Sequence, residues 1–142
     1  MVTRQAVVVA LIGFVFTTPA PTPAQGAPRS SSSPSSPEAC AIEAFGHTVV
    51  ITCGSNYLNC DWNGDRIRDE VFFVSPPNSY VYRVSRSSNG PVGVSNGKAQ
   101  TMVRCEIRPT GARRVYAATT SGRVYYSQNT GGEWGDWHAY VP

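Results

Sequence analysis

Four side chains with oxygen ligands stand at regular spacing in the segment Cys60–Val74, CDWNGDRIRDEVFFV. They are Asp61, Asn63, Asp65 and Asp69, at positions 1, 3, 5 and 9 of a loop that leads directly into a run of β-formers. Side-chain oxygens at alternate positions of a tight loop can converge on one hard cation. The spacing therefore predicts a Ca²⁺ site formed by these four residues.

Other residues of the same loop oppose a cation. Arg66 stands at position 6, where EF-hand loops have glycine, and Phe72 stands at position 12, where they have a bidentate acid. Arg66 and Arg68 also place two positive charges beside the carboxylates. The alternative interpretation is a turn capped by its own Asp and Asn side chains and by Asp–Arg pairs.

A second candidate binding site is aromatic and lies near the C-terminus. Tyr125, Trp134 and Trp137 stand among polar residues, a combination that suits sugar stacking or a protein-binding hot spot. Strand alternation places Tyr125 and Tyr126 on opposite faces, so one of the two is expected in the core. The alternative is that all these rings serve only core and rim packing.

Catalytic machinery is not evident in the sequence. The two histidines are His47, in a predicted tight turn, and His138, near the end of the chain. Neither belongs to a nucleophile–base pattern, and nucleophile-elbow and metalloprotease motifs are absent from the sequence. We therefore expect a protein that is not an enzyme.

The N-terminal part of the sequence has the pattern of an export signal. Residues 1–24 contain Arg4 and then an apolar run of eleven residues, Ala6–Phe16, followed by small residues and prolines. A membrane span needs about 20 apolar residues, so this run is too short to cross a bilayer. Cleavage is predicted after Ala24, with Ala27 as the alternative, giving an extracellular protein with no membrane span.

Residues 25–38, QGAPRSSSSPSSPE, are rich in serine and proline. Such a segment has too little apolar surface to offset the entropy of ordering, so it is predicted to be a disordered arm. It is either a plain linker or an arm that becomes ordered on a partner. Residues 39–142 are then left for one small β-domain. The full chain has a formal charge of +3, which falls to +2 without Arg4, and this weak balance argues against a nucleic-acid partner.

All four cysteines, Cys40, Cys53, Cys60 and Cys105, lie in the predicted domain. An even count in a small exported domain indicates disulfides, and CxxC-type zinc spacing is absent. A type II′ turn at Gly46-His47 would place Cys40 opposite Cys53. The favoured pairing is Cys40–Cys53 with Cys60–Cys105, and the main rival is Cys53–Cys60 with Cys40–Cys105.

The remaining sequence predicts an all-β fold, because β-rich runs alternate with Gly, Asn and Pro clusters and no helical periodicity appears. The predicted strands are Ala41–Phe45, Thr48–Thr52, Glu70–Val74, Tyr80–Ser85, Gln100–Ile107, Arg114–Thr119 and Arg123–Ser127. Two hairpin-like blocks, EVFFVSPPNSYVYRVS and RVYAATTSGRVYYSQ, resemble each other at a separation of 44 residues. Such a period is typical of propeller blades, although two unrelated amphipathic hairpins would give the same pattern.

Two stretches resemble known families. DWNGDRIRDEVFFV resembles the calcium-loop-plus-strand unit of FG-GAP and VCBS propeller repeats, and it keeps every residue of their pattern except the glycine replaced by Arg66. SGRVYYSQNTGGEWGDWHAYV is similar to a blade of tectonin or PLL-type lectins. These resemblances imply propeller-blade-like hairpin repeats. The chain is too short for four or more blades, so we expect a two-blade-like sandwich, or sheets completed by another molecule.

Three functions are consistent with these features. The first is a non-catalytic adaptor or subunit of a secreted protein complex, which would bind other secreted proteins through the arm and the β-domain. Its layout is similar to the small adaptor subunits of actinobacterial umbrella toxin particles, which link a lectin subunit to a scaffold subunit. The second is a small lectin that binds glycans, and the third is a secreted protease inhibitor.

Overall fold

The structure, a computed structural model, describes residues 38–142. The predicted signal, residues 1–24, and the predicted arm, apart from Glu38, lie outside the described residues. Within residues 38–142 the all-β prediction is confirmed. The strands are β1 (Ala39–Ala44), β2 (His47–Thr52), β3 (Leu58–Cys60), β4 (Glu70–Ser75), β5 (Tyr80–Ser85), β6 (Val92–Lys98), β7 (Thr101–Ile107), β8 (Arg113–Ala118), β9 (Val124–Thr130), β10 (Glu133–Trp134) and β11 (His138–Ala139).

The strands form three antiparallel sheets. β1 and β2 make a hairpin, β3-β4-β5-β6 make a four-stranded sheet, and β10-β9-β8-β7 make a sheet in which β11 also pairs with β9. The two similar blocks in the sequence are the hairpins β4–β5 and β8–β9, each at the centre of one larger sheet. No helix of the described part is long and apolar enough to cross a membrane.

The strand β4 is buried on both faces, and this explains its continuous apolar sequence. Alternate residues of a strand point to opposite faces. Phe72 and Val74 belong to a core shared with the β7–β10 sheet, whereas Val71 and Phe73 pack with the β1–β2 hairpin. All four residues are at most 2% exposed. The four-stranded sheet is therefore the middle layer of three.

The core between the two larger sheets contains a cluster of three aromatic rings. Phe72 meets Trp62 and Trp134 edge-on, with ring centres 6.3 and 5.0 Å apart, and the two indoles lie 6.1 Å from each other. Met102 and Val115 complete this core from the opposite sheet. Edge-to-face aromatic pairs add about 0.5–1.5 kcal/mol each beyond the burial of their area.

Both favoured disulfides, Cys40–Cys53 and Cys60–Cys105, are confirmed, with Cα atoms 5.0 and 6.0 Å apart. The first joins the two ends of the β1–β2 hairpin. The second joins β3 of the four-stranded sheet to β7 of the other sheet, so it fastens the two faces of the shared core. Loop-entropy arguments assign such a link about 4 kcal/mol of stability.

The predicted register of the β1–β2 hairpin is wrong by two residues. The turn is Phe45-Gly46, both with positive φ (53° and 80°), so Ala44 pairs with His47 and Cys40 with Ile51. Positive φ at both central positions is the type I′ pattern rather than type II′. A slip of two residues leaves every side chain on its original face, so hydrophobic alternation cannot distinguish the two registers.

Tertiary contacts of Phe45 favour the observed turn. The Phe45 ring packs against the cluster beneath the hairpin, and the guanidinium of Arg68 lies 5.3 Å from its centre. Cys53 donates its backbone N–H to Glu38 O at 2.8 Å, so its disulfide partner Cys40 is diagonal to it across the hairpin. The predicted pairing is therefore correct although the register used to reach it is not.

Sequence reasoning missed β3, β6, β10 and β11, and β6 is the largest omission. Its sequence, VGVSNGK, has the composition of a turn, yet it pairs with β5. One of its glycines, Gly97, lies directly beneath the Trp137 indole, which leaves no space for a side chain. The same indole donates its Nε1–H to Val94 O at 2.8 Å. The C-terminal segment is thus fixed onto the outer edge of β6.

We predict that Gly97→Ala destabilises the domain by about 1–3 kcal/mol, the usual cost of overpacking. A Cβ at Gly97 would overlap the Trp137 indole, which must then move off β6. Gly93→Ala is the matched control in the same strand, because its nearest contact would be an ordinary 3.9 Å to Ser95 O. Thermal unfolding of both variants measures the effect, and equal melting temperatures would show that Trp137 does not fix the segment.

Candidate functional site

The acidic loop is held by hydrogen bonds from its own backbone. Asp61 accepts the backbone N–H groups of Asn63 and Gly64 on Oδ1, at 3.2 and 2.8 Å, and that of Arg66 on Oδ2 at 2.7 Å. Asp65 accepts the N–H of Ile67 at 2.7 Å. The carboxylates therefore act as caps for a tight turn, which is the alternative interpretation of this loop.

Arg66, which stands where the resemblance expects glycine, adopts a backbone conformation that favours glycine. Its φ is 68°, in the left-handed region that non-glycine residues adopt rarely. This conformation aims the Arg66 amide at Asp61, which offsets part of the strain. Replacement of the expected glycine by arginine has thus not prevented the loop from forming.

Trp62 anchors the loop in the core. Its backbone N–H donates to Asp69 Oδ2 at 2.7 Å, and its indole Nε1–H donates to Glu70 Oε2 at 2.8 Å. The other oxygen of Glu70 pairs with Arg83 at 2.7 Å. Glu70 is only 8% exposed. Its buried carboxylate is neutralised by Arg83 and hydrogen-bonded by the Trp62 indole, so both of its oxygens have partners.

The described geometry does not present a cation cage. Within residues 38–142, no three His, Cys, Asp or Glu side chains converge as metal ligands would. Asp61 and Asp69 direct carboxylate oxygens to backbone N–H groups, and Asn63 donates to Asp65 Oδ2 at 3.0 Å. The calcium prediction for these four residues stays a prediction.

The three predicted aromatic binding residues separate into two places. Trp134 packs into the core between the sheets, against Trp62 and Phe72. Tyr125 and Trp137 instead line one cleft of about 330 Å³, together with Asn96, Lys98 and Thr119. Trp137 also fixes the C-terminal segment, so only part of its ring surface is available to a ligand.

The outer face of the β7–β9 sheet carries a stack of tyrosines and arginines that sequence reasoning missed. We call it the tyrosine–arginine face and define it by Arg104, Arg114, Tyr116, Tyr126 and Tyr140. Val115 and Ala117 point into the core, so their neighbours Arg114 and Tyr116 point outward. In the paired strands, Arg104 and Tyr126 both lie opposite Tyr116.

The members of this face lie in direct contact. The Arg104 guanidinium is 3.9 Å from the centre of the Tyr116 ring and 5.2 Å from that of Tyr140. The Arg114 guanidinium is 4.2 Å from the centre of the Tyr126 ring. Tyr116 meets Tyr140 edge-on at 5.3 Å and is only 1% exposed, although it lies on an outer face. The face is therefore a packed, preorganised layer.

Charged partners fix the arginines further. Glu106 pairs with Arg108 at 2.7 Å and with Arg104 at 3.5 Å. The hydrogen bond from Arg108, acting against desolvation, lowers the pKa of Glu106, so this carboxylate is ionised at neutral pH. Although desolvation opposes its charge, contacts with Tyr140 and Tyr116 raise the pKa of Arg104. Arg114 donates its Nε–H to Gln128 Oε1 at 2.8 Å.

The sequence contained a signal for this face. Alternation in β8 separates Val115 and Ala117 from Arg114 and Tyr116, and β7 alternates charges in the same way. Alternation could not show that β7, β8, β9 and β11 place these side chains side by side.

Comparisons of the chain with protein-family models, with curated proteins and with solved structures give no match. The resemblances described above therefore stay predictions.

The hydrogen bonds to Asp61 predict a pH dependence of stability. Desolvation raises the pKa of Asp61, but the backbone N–H groups of Arg66, Gly64, Asn63 and Asp65 outweigh it and hold the pKa below its usual 3.8. A lowered folded-state pKa contributes stability above the usual pKa, and this stability is lost as the pH falls through the folded-state value.

We therefore expect the melting temperature of the native chain to fall between about pH 6 and about pH 2.5 by more than that of Asp61→Asn, since titration of Asp61 supplies part of the change. Asp136→Asn, at an exposed aspartate of the C-terminal segment, is the control and should melt like the native chain at every pH. Identical pH profiles for Asp61→Asn and the native chain would contradict the capping role.

Calcium binding has a separate test. A ligand of the native state raises the melting temperature by mass action, so about 10 mM CaCl₂ should stabilise the protein if the loop binds even weakly. Asp61→Ala and Asp65→Ala should each abolish that rise. About 10 mM MgCl₂ is the control for ionic strength. An unchanged melting curve in CaCl₂ would show that the loop is a structural turn that does not bind calcium.

Proposed function

We propose that this chain is a non-catalytic, exported protein-interaction module, an adaptor or subunit of an extracellular protein complex. The single observation that supports this most is the tyrosine–arginine face. Tyrosine and arginine are enriched in the hot spots of protein interfaces, where rigid rings and planar guanidinium groups bind with little further loss of entropy. Here five such residues are already ordered against one another.

Charge distribution also supports a specific rather than a diffuse contact. Residues 38–142 contain ten Lys and Arg and nine Asp and Glu, for a formal charge of only +1. Arg104, Arg108 and Arg114 against Glu106 give this one surface +2. A local positive surface on a nearly neutral domain favours a matched partner surface over a polyanion, whose binding needs broad positive charge.

The predicted arm supplies a second contact in this proposal. Residues 25–38 precede β1 directly in the sequence, and their serine- and proline-rich composition suits an arm that binds a partner in extended form. An arm and a folded face on one chain can hold two partners at once, which is what an adaptor does. The layout resemblance to umbrella toxin adaptors is consistent with this arrangement.

A lectin is the second candidate, and one observation favours it. Tyr125 and Trp137 line the same cleft, with the polar side chains of Asn96, Lys98 and Thr119 around them. Aromatic rings with polar neighbours suit the apolar faces and hydroxyl groups of a sugar. The protease-inhibitor hypothesis has no such observation behind it and stays a prediction.

A pull-down from culture supernatant tests the proposed function. The exported native chain is compared with a chain lacking residues 25–38 and with Arg104→Ala/Arg114→Ala. We expect the deletion to lose one partner and the double variant to bind another at least tenfold more weakly, which corresponds to about 1.4 kcal/mol. Arg123→Ala, an exposed arginine outside the face, should retain both partners.

Two further measurements complete this test. Melting temperatures show whether each variant is folded, since Arg104 also packs on Tyr116. A glycan array with the native chain and Tyr125→Ala tests the lectin alternative, which requires a signal that the variant loses. If the deletion and the arginine variant both retain every partner while folded, the adaptor function is excluded.

A further inference from the structure

The strand β7 has an uncovered edge. It is the last strand of its sheet, with β8 as its one strand neighbour. Asn56 covers its beginning, by accepting from Met102 N at 3.3 Å and donating to Thr101 Oγ1 at 2.8 Å. From Val103 to Ile107, no backbone hydrogen bond to a second strand occurs within the described chain.

The other edge strands of the two larger sheets are either shorter or covered. β3 has three residues and β10 has two. The edge of β6 is covered by the C-terminal segment, through Trp137 on Val94 O and Ser95 on Gly135 O. The stretch Val103–Ile107 is therefore the longest open edge in these two sheets. Unpaired N–H and C=O groups of such an edge can bind an extended chain of another molecule.

The side chains beside this edge alternate in character. Arg104, Glu106 and Arg108 lie towards the outer face, where Arg104 joins the tyrosine–arginine face. Ile107 lies towards the opposite side and is 49% exposed, and Val103, at the irregularity of the strand, is 40% exposed. A strand added here would meet arginines on one side and apolar side chains on the other.

The charges identify the kind of strand that fits. Guanidinium groups bind carboxylates with paired, planar hydrogen bonds, and the Arg104 guanidinium is already positioned over the Tyr116 ring, 3.9 Å from its centre. Glu106 alone cannot neutralise Arg104, Arg108 and Arg114. A segment that alternates acidic and apolar residues complements both sides of the edge, whereas a basic segment would be repelled.

We propose that Val103–Ile107 is a strand-addition site for an extended segment of a partner protein, in which acidic residues alternate with apolar ones. The proposal rests on the interaction function proposed above and adds to it the partner's chemistry and mode of binding. Charged side chains on an edge strand can also serve only to prevent aggregation, and this is the competing outcome.

The test uses the full chain, exported so that both disulfides form, labelled with ¹⁵N. The probe is a capped seven-residue peptide in which glutamate alternates with valine, and the control peptide has lysine in place of glutamate. We expect the glutamate peptide to shift the amide signals of Val103–Ile107, and Arg108→Glu to weaken this binding at least tenfold. Arg123→Glu, outside the face, is the matched control and should not weaken it.

Two N-methylated versions of the glutamate peptide separate strand pairing from simple charge attraction. One is methylated at its glutamates and the other at its valines, so each loses the N–H groups of one strand edge. Pairing with β7 uses one edge, so one version should lose binding and the other retain it. Equal binding of both versions, or of the lysine peptide, would overturn strand addition and leave a protective charged edge.

The peptide titration and the pull-down can contradict strand addition and the adaptor function independently. If the Arg104→Ala/Arg114→Ala variant loses a partner but the glutamate peptide shifts no amide of β7, the interaction function stands and strand addition is wrong. If the peptide binds β7 with the expected edge preference but neither the arm deletion nor the arginine variant loses a partner, strand addition stands and the adaptor function is wrong.

Discussion

The fold depends on covering both faces of β4. Val71 to Val74 are apolar without interruption, so a single packed layer would leave two of them in water. Burial of each such side chain contributes about 1.5–3 kcal/mol, which favours a layer on either side. The β1–β2 hairpin supplies one layer and the β7–β10 sheet the other. The two disulfides secure these layers, one at the ends of the hairpin and one across the shared core.

The three-layer order leaves the outer face of the β7–β9 sheet without a cover in the described chain. Its central tyrosine, Tyr116, is nevertheless buried, because Arg104, Tyr126 and Tyr140 close over it. A layer built in this way keeps charge at its surface and holds its rings rigid beneath. These are the physical properties that a protein-binding face requires, since little entropy remains to be lost on association.

The acidic loop has a structural role at the end of the shared core. Its Asp61 and Asp69 accept backbone N–H groups, and Trp62 carries it into the aromatic cluster. The loop is closed by a backbone hydrogen bond from Asp69 N to Cys60 O at 2.8 Å. The residues that most resembled a metal site therefore position β3 and β4, and the candidate interaction surface lies in a different sheet.

The sequence by itself determined the all-β class and the hairpins β4–β5 and β8–β9, and it favoured the observed disulfide pairing without excluding its rival. Period-two alternation and turn residues are local signals, and the cysteine count left only three pairings. Alternation also distinguished Tyr125 from Tyr126, although neither became fully buried. The sequence did not reveal that the glycine-rich segment of β6 is a strand, because the reason for Gly97 is the Trp137 ring that packs on it in the folded structure.

The tertiary structure decided what local signals could not encode. The hairpin register depended on packing of Phe45, because a slip of two residues preserves the hydrophobic face. The tyrosine–arginine face depended on β7, β8, β9 and β11 becoming neighbours, which brings Arg104 and Tyr140 together across 36 positions of sequence. Side chains on one strand reveal which face they share, but only strand order and register reveal what they touch.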